Sequence, residues 1–317
     1  MMNFETGFSM SDPLRSETFR RAGQSPSGRF SSRESARSSH QGDYPPILPS
    51  STARTAFTER PVSRRIIIAA TPKGGVGKSF FLINLADWLV EKNLRALAFD
   101  TDWSSGTLTR FQPETRFLTT TDGEGFQEIL HGMEEADLIL VDGSASAIPE
   151  LVDWIGNNGV SGDKSLGEVG VTFVCLVEED KDTVFQAGEL CRRLGASVDW
   201  LLVRSLKTSP ATEIYDNSKT RQELLRLGAG EITIARLPWN LLSIMQRTSK
   251  SLSGLLQDKS LSLLERHRLR SYQERLFEQF AAMESVLLPR VNPHAGAGTH
   301  AATGKGSVRP RIAPEEV

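Results

Sequence analysis

The chain has 317 residues, of which 38% are hydrophobic, a low proportion for a chain that packs along its whole length. Lysine and arginine total 37 against 39 acidic residues, which excludes a uniformly basic nucleic-acid coat but not local basic patches. No apolar run approaches the roughly 18 residues of a membrane helix. With only two cysteines, a disulfide framework is excluded and a reducing, cytoplasmic location is favoured.

The two ends of the chain differ in composition from its middle. Residues 1–62 are rich in serine, arginine, glycine and proline, and their apolar residues follow neither the strand nor the helix period. Such a segment cannot bury enough apolar surface to offset its conformational entropy. Residues 291–317 are rich in glycine, alanine and proline. The sequence therefore predicts disordered N- and C-terminal tails around one folded domain at 63–290.

Strand-like and helical patterns alternate through the middle of the chain. Short apolar runs predict strands at 65–70, 95–99, 117–120, 137–141, 171–177, 198–203 and 231–235. Helical patterns follow at 78–92, 125–135, 183–194 and 212–227. A C-terminal helix carries one apolar stripe, formed by Leu269, Tyr272, Leu276, Phe280, Met283 and Leu287. The alternation predicts an α/β fold with a mostly parallel sheet and helices on both faces.

A glycine-rich loop between the first predicted strand and helix is the strongest functional signal. Its residues are Lys73, Gly74, Gly75, Val76, Gly77, Lys78 and Ser79. Glycines let backbone N–H groups approach a phosphate, and the helix N-terminus adds donors and a favourable dipole. Lys78 is expected to neutralise phosphate charge, and the Ser79 hydroxyl to reach Mg²⁺. This pattern predicts a P-loop NTPase, although Pro72 stands where the strict pattern has its first glycine.

Three aspartates follow neighbouring predicted strands. Asp100 and Asp102 come directly after the second strand, and Asp142 ends the fourth. In open parallel sheets, ligands bind outside the carboxyl ends of the strands, which is also where the glycine-rich loop lies. We therefore expect these carboxylates to serve the nucleotide site rather than to cap a helix or a turn.

These motifs resemble those of the ParA/MinD superfamily. KGGVGKS is similar to the deviant Walker A loop of that family, with its extra leading lysine, and residues 79–89 are similar to the helix that follows it. Asp100-Thr101-Asp102 looks like the switch I motif, and Asp142 matches the Walker B aspartate. Residues 235–240, which include Pro238, resemble the late loop near the adenine. The resemblance covers residues 64 to 288.

The resemblance implies a Mg²⁺-dependent ATPase that hydrolyses ATP slowly and forms a homodimer around the nucleotide. Lys73 would reach across the interface to the partner subunit's ATP, and Asp102 would orient the attacking water. Pro238 would contact the nucleotide together with the glycine-rich loop. The implied metal-binding residues are Ser79, which binds Mg²⁺ directly, Asp142, which binds it through water, and Asp100.

Two departures from the family pattern bear on the biological role. Residues 103–106 stand where partition ATPases have Pro-Gln-Gly, and the residues after Asp142 look more like the TraL- or MobD-like branch, encoded with conjugation genes. The resemblance thus implies plasmid or chromosome partition, conjugal transfer or mobilisation, or the positioning of a DNA-handling complex. A protein partner from such a complex is expected, and no stable membrane anchor.

DNA is a further possible partner, because many partition relatives bind it through basic residues in the C-terminal region. The arginines available here are Arg266, Arg268, Arg270 and Arg275, with glutamates between them. Two alternatives stay open. One is a metabolic P-loop enzyme of the ATP-dependent ligase type, which needs a substrate-binding insert. The other is a nucleotide-binding adaptor that does not hydrolyse ATP.

Overall fold

The computed structural model describes residues 62–103, 106–119, 125–158 and 168–290. The predicted tails at 1–62 and 291–317 lie outside this part of the chain, except for Val62. Val62 and Arg290 exchange two backbone hydrogen bonds of 3.1 and 2.6 Å. The first and last described residues therefore meet beside the first strand.

Within the described residues, seven strands form one parallel sheet. Their order across the sheet is β3-β2-β4-β1-β5-β6-β7, and every pair is parallel. The strands are β1 (Arg64–Ala70), β2 (Ala96–Asp100), β3 (Arg116–Phe117), β4 (Leu138–Gly143), β5 (Val169–Val177), β6 (Asp199–Ser205) and β7 (Gly230–Ile234). Each lies at or within a few residues of a predicted strand, because strands buried on both faces appear as continuous apolar runs.

Helices cover both faces of this sheet. They are α1 (Lys78–Glu91), α2 (Thr107–Phe111), α3 (Gly125–Glu135), α4 (Ile148–Asn158), α5 (Lys181–Leu194), α6 (Glu213–Asp216), α7 (Lys219–Arg226), α8 (Trp239–Thr248), α9 (Leu252–Leu256), α10 (Leu263–Ala282) and α11 (Glu284–Leu287). One buried cluster joins the sheet to α1, α2 and α8–α11, and a second joins its other face to α3–α7. The predicted α/β P-loop class, with helices on both faces, is confirmed.

The apolar stripe predicted for the C-terminal helix packs against the core. Leu269, Tyr272, Leu276 and Phe280 are all buried, and the Phe280 ring packs edge-on against that of Phe81 on α1. The helix begins with a capping box, in which Ser262 and Glu265 bond each other's backbone N–H. This helix therefore fixes α1, whose N-terminus adjoins the glycine-rich loop.

Two predicted elements differ from the structure. The helix predicted at 212–227 is two helices, α6 and α7, because the Ser218 hydroxyl accepts the Arg221 N–H at 3.0 Å and starts a new helix. The strand predicted at 117–120 is the two-residue edge strand β3, and Leu118 makes the last contact with β2, through the Asp100 carbonyl at 2.9 Å.

A buried ionic cluster closes the amino end of the sheet. The fully buried Arg65 donates to the Asp199 carboxylate at 2.7 Å and to the Thr172 hydroxyl at 2.6 Å. Its Nε donates to the Leu288 carbonyl at 2.9 Å, and Arg290 donates to the same carboxylate at 3.0 Å. The cluster ties the C-terminal segment to β1, β5 and β6, at the opposite end of the strands from the glycine-rich loop.

Candidate functional site

The glycine-rich loop adopts a conformation that needs its glycines. Gly75 has a φ of +76° and Gly77 a φ of +109°, both in the region that side chains other than glycine rarely adopt. Gly77 is the residue before Lys78, where α1 begins, so the first N–H groups of that helix face the space above the loop. The backbone is thus shaped to surround an anion.

Neighbouring strands hold the loop in place. The Thr71 hydroxyl accepts the Leu176 N–H of β5 at 2.9 Å, and the Ser205 hydroxyl of β6 donates to the Val76 carbonyl at 3.0 Å. The Lys207 ammonium, from the segment after β6, donates to the Gly75 carbonyl at 2.6 Å. These contacts come from strands far along the chain, and they preorganise the loop before a ligand binds.

Lys78 lies inside the loop and binds the loop's own carbonyl groups. Its ammonium donates to the Thr71 carbonyl at 3.0 Å and to the Lys73 carbonyl at 3.2 Å. Burial lowers the pKa of Lys78, and Asp142 and Asp102 oppose this shift. A desolvated cation that donates to two backbone carbonyl groups is suited to bind a phosphate, which offers it full negative charge.

The predicted aspartates lie close together at the carboxyl ends of neighbouring strands. Asp100 ends β2, and its direct partner in the register is Asp142, the next-to-last residue of the adjacent β4. The Asp102 N–H donates to Asp100 Oδ1 at 2.8 Å. Thr101 fastens this segment to β4, because its N–H and its hydroxyl both donate to the Asp142 carbonyl, at 3.1 and 3.0 Å.

The carboxylates of Asp100 and Asp142 are buried and poorly compensated. Burial raises the pKa of Asp142 to about 7, against a hydrogen bond from Ser79, and Asp100 adds to the rise by repulsion. Burial likewise raises the pKa of Asp100, whose Oδ2 is buried without a hydrogen-bond partner. The unpartnered Asp100 oxygen, beside the buried Asp142 carboxylate and the Ser79 hydroxyl, calls for a cation.

Mg²⁺ fits this set of donors. No group of three or more His, Cys, Asp or Glu side chains among the described residues could hold a metal ion. A nucleotide-bound Mg²⁺ needs no such group, because it takes one or two carboxylates together with phosphate oxygens and water. Ser79, Asp142 and the unsatisfied oxygen of Asp100 are the groups here that could serve as the protein's share of these ligands.

A cavity of about 540 Å³ lies above the loop and the aspartates. Its polar floor is formed by Gly74, Gly75, Val76, Gly77, Lys78, Ser79, Asp100, Asp102 and Asp142. Its apolar wall includes Phe80, Ile83, Phe111, Leu237, Leu242 and Met245. This volume and this mixture of walls are typical of a site for a small molecule with one charged and one apolar end.

Most of the predicted site residues come together here, but two do not line the cavity. Lys73 turns away, and its ammonium lies 3.0 Å from an oxygen of Asp180. Pro238 precedes α8 without lining the cavity, whereas its neighbours Leu237 and Trp239 do line it.

The structure adds two lining residues that sequence reasoning missed. Lys207 brings a second cation to the loop, and the only signal for it is a lysine two residues after β6. Trp239 lines the cavity with 72% of its surface exposed, and it lies in the stretch that resembles the family's late loop near the adenine. The Tyr272 hydroxyl fixes this stretch by donating to the Ala235 carbonyl at 2.7 Å.

Regions outside the cavity bear on the predicted partners. Arg268, Arg270 and Arg275 are exposed on α10, whereas Arg266 is half-buried and donates to the Asp258 carbonyl at 3.1 Å. Across the ranges that the structure covers, no helix combines the length and the apolar character needed to cross a bilayer. Both cysteines are buried and unpaired.

Comparison with known proteins gives a family match over most of the chain. The profile of a family described as the CobQ/CobB/MinD/ParA nucleotide binding domain matches residues 67–294. That range contains the glycine-rich loop, the three aspartates and the whole cavity. Among curated proteins, no sequence matches that of this chain.

Three solved structures are similar to the chain at low sequence identity. The MinC:MinD cell division protein complex from Aquifex aeolicus is 14% identical, with a TM-score of 0.45, over 71% of this chain and 98% of that chain. The MinD cell division protein from the same organism is 14% identical, with a TM-score of 0.43, over 72% and 100% of the two chains. FlhF complexed with GMPPNP and Mg²⁺ is 13% identical, with a TM-score of 0.36, over 56% and 67%.

Proposed function

The chain belongs to the CobQ/CobB/MinD/ParA nucleotide-binding family, and on this premise we propose that it is a slowly hydrolysing, Mg²⁺-dependent ATPase of the ParA/MinD type. The observation that carries the proposal is the joint placement of Lys78, Ser79 and Asp142. A desolvated lysine, a serine at the first turn of α1 and a buried, protonatable carboxylate face one cavity. This is the arrangement that triphosphate and Mg²⁺ binding requires.

Each residue has a role in this proposal that follows from its position. Lys78 and the N–H groups of the loop hold the phosphates, and Ser79 and Asp142 hold Mg²⁺ with the buried oxygen of Asp100 nearby. The metal supplies charge neutralisation on the phosphates when it is bound. Asp102, at the rim between the two buried aspartates and solvent, orients the attacking water. Catalysis then rests on positioning and charge stabilisation.

We further propose that two copies of the chain associate around ATP, with Lys73 of each copy reaching the nucleotide of the other. The biological setting that we favour is plasmid or chromosome partition, conjugal transfer or mobilisation, or the positioning of a DNA-handling complex through a protein partner. The support is the lysine before the glycines and the residues after Asp142, which look more like the TraL- or MobD-like branch. The exposed arginines of α10 are the proposed contact if DNA is bound directly.

Size-exclusion chromatography with light scattering, in ATP and Mg²⁺, tests this proposal. Asp102→Ala should retain ATP and accumulate as a dimer, because it binds but does not hydrolyse. Lys73→Ala should bind ATP through Lys78 yet stay monomeric, as should the double variant. Glu114→Ala, which removes an exposed carboxylate outside the cavity, is the control and should behave as wild type. An Asp102→Ala protein that binds ATP and remains monomeric would contradict the dimer.

Phosphate release in the same samples separates the ATPase from an adaptor that only binds nucleotide. Wild type should release phosphate slowly, and Asp102→Ala at a small fraction of that rate. ATP binding by wild type with no release above the background of the Lys78→Ala protein would contradict hydrolysis.

A further inference from the structure

The side chain of Lys73 is held by two acids of its own chain. Its ammonium lies 3.0 Å from Asp180 Oδ2 and 3.5 Å from Glu178 Oε2, at the carboxyl end of β5. Its backbone N–H donates to Gln186 Oε1 of α5 at 3.2 Å. Three contacts to one segment therefore direct this lysine away from the cavity that the other loop residues line.

The acid that makes the closest contact is itself rigidly placed. Asp180 is the N-cap of α5, and its Oδ1 accepts the Thr183 N–H at 2.9 Å. Its Oδ2 accepts the Thr183 hydroxyl at 3.2 Å as well as the Lys73 ammonium. The hydrogen bond that Lys73 donates to Asp180 is also the largest cause that raises the pKa of Lys73. The position of the Asp180 carboxylate is therefore fixed by its hydrogen bonds to α5 and does not depend on Lys73.

We infer that Asp180 is a positioning residue that holds Lys73 within its own subunit and competes with the placement of that lysine on the nucleotide of a second copy. This inference rests on the proposed nucleotide-dependent dimer. On this inference Lys73 leaves Asp180, from which it lies 3.0 Å, when it reaches another subunit's phosphate, so association breaks this ion pair once in each copy. Asp180 therefore sets the threshold for dimerisation without touching the nucleotide.

The size of the effect follows from the exposure of the pair. The side chains of Lys73 and Asp180 are 38% and 26% exposed, so water screens their attraction. An exposed ion pair of this kind changes an equilibrium constant by about 1.5- to 5-fold. Because a symmetric dimer breaks two of them, removing the Asp180 charge should tighten the dimer by about 2- to 25-fold.

Asp180→Asn is the variant that isolates this charge, because asparagine is an equally good N-cap. In ATP and Mg²⁺, light scattering over a dilution series should show a lower dimer dissociation constant than that of wild type. Asp182→Asn removes an exposed charge from the first turn of the same helix and should leave the constant unchanged. In a Lys73→Ala background, Asp180→Asn should have no effect, since the lysine it acts through is gone. An unchanged or weaker Asp180→Asn dimer would overturn the inference.

Pulse labelling of lysine amines with acetic anhydride, followed by mass spectrometry, tests the holding contact without any dimer. In nucleotide-free protein, Asp180→Asn should increase labelling of Lys73 by about 2- to 5-fold relative to the exposed Lys219, and Asp182→Asn should not. Equal labelling of Lys73 in both variants would overturn the holding role. A wild-type protein that stays monomeric with ATP at every concentration would contradict the proposed dimer instead, and the labelling result would still decide the role of Asp180.

Discussion

Replacing Asp142 with asparagine should stabilise the nucleotide-free protein at alkaline pH, although it removes a proposed metal ligand. Burial raises the pKa of this carboxyl to about 7, whereas its ordinary value is 3.8. Between these two values the folded protein binds more protons at this site than the unfolded chain does. The free energy of unfolding therefore falls as the pH rises from about 4 through about 7.

The magnitude follows from the two pKa values. Their difference corresponds to about 4 kcal/mol that this site removes from the stability once the pH is well above 7. About 2 kcal/mol of that loss falls between about pH 5.5 and about pH 8. Asparagine has the shape of the protonated acid and still accepts the hydrogen bond from Ser79, so it does not suffer this loss.

Urea unfolding of nucleotide-free protein, with a chelator present, measures the effect at the two pH values. Asp142→Asn should lack about 2 kcal/mol of the pH dependence of wild type and should be the more stable protein at about pH 8. Asp137→Asn makes the same change at an exposed position just before β4 and is the control, expected to keep the wild-type slope. An Asp142→Asn protein with the wild-type slope would contradict the raised pKa of Asp142, as would one less stable than wild type at about pH 8.

Other contacts of the loop, the cavity and the core are tested by single substitutions. In urea melts of nucleotide-free protein, Gly77→Ala should lower the free energy of unfolding by about 1–3 kcal/mol, because the φ of +109° at this position strains any other residue. Gly74→Ala, with open space around it, should change the free energy of unfolding by less than about 0.5 kcal/mol. Equal effects of the two substitutions would contradict the backbone argument. In fluorescence titrations, Lys207→Met should weaken ATP binding about fivefold, whereas Lys219→Met, at an exposed position, should not. Unchanged affinity in the Lys207→Met protein would show that Lys207 is not part of the site. In urea melts, Arg65→Met should lower the free energy of unfolding by about 3 kcal/mol, because Asp199 loses its buried partner. Arg64→Met, at the half-buried neighbouring position, should lower it by less. A loss under about 1 kcal/mol for Arg65→Met would contradict the buried cluster.

The strands were predictable because the sheet is buried on both faces. All nine residues of β5 are buried, and its sequence is accordingly a nearly continuous apolar run, which predicts a strand. Helix α4 (Ile148–Asn158) is not among the predicted helices, although Leu151, Val152 and Ile155 on it are buried; it follows Asp142 closely, where the aspartate motif is the stronger signal. Helix α8 begins at Trp239, inside residues that the family resemblance marks as a loop.

The residues of the candidate site likewise divide into those that the local sequence predicts and those whose contacts it does not predict. Lys78, Ser79 and Asp142 were predictable because local spacing alone places them at the ends of strands and the start of a helix. The contacts of Lys73 and Lys207 were not, because each joins residues more than 100 positions apart, Lys73 with Asp180 and Lys207 with Gly75. Such contacts depend on how side chains pack after the sheet has formed, and a single sequence carries no pattern for them.

Titration of a fluorescent ATP analogue tests whether this chain binds ATP through the glycine-rich loop. Wild type with Mg²⁺ should bind saturably, and Lys78→Ala should lose affinity by about 100-fold, because the phosphates lose their buried cation. Circular dichroism of the variant should match wild type. Unchanged affinity in a natively folded Lys78→Ala protein would contradict the claim.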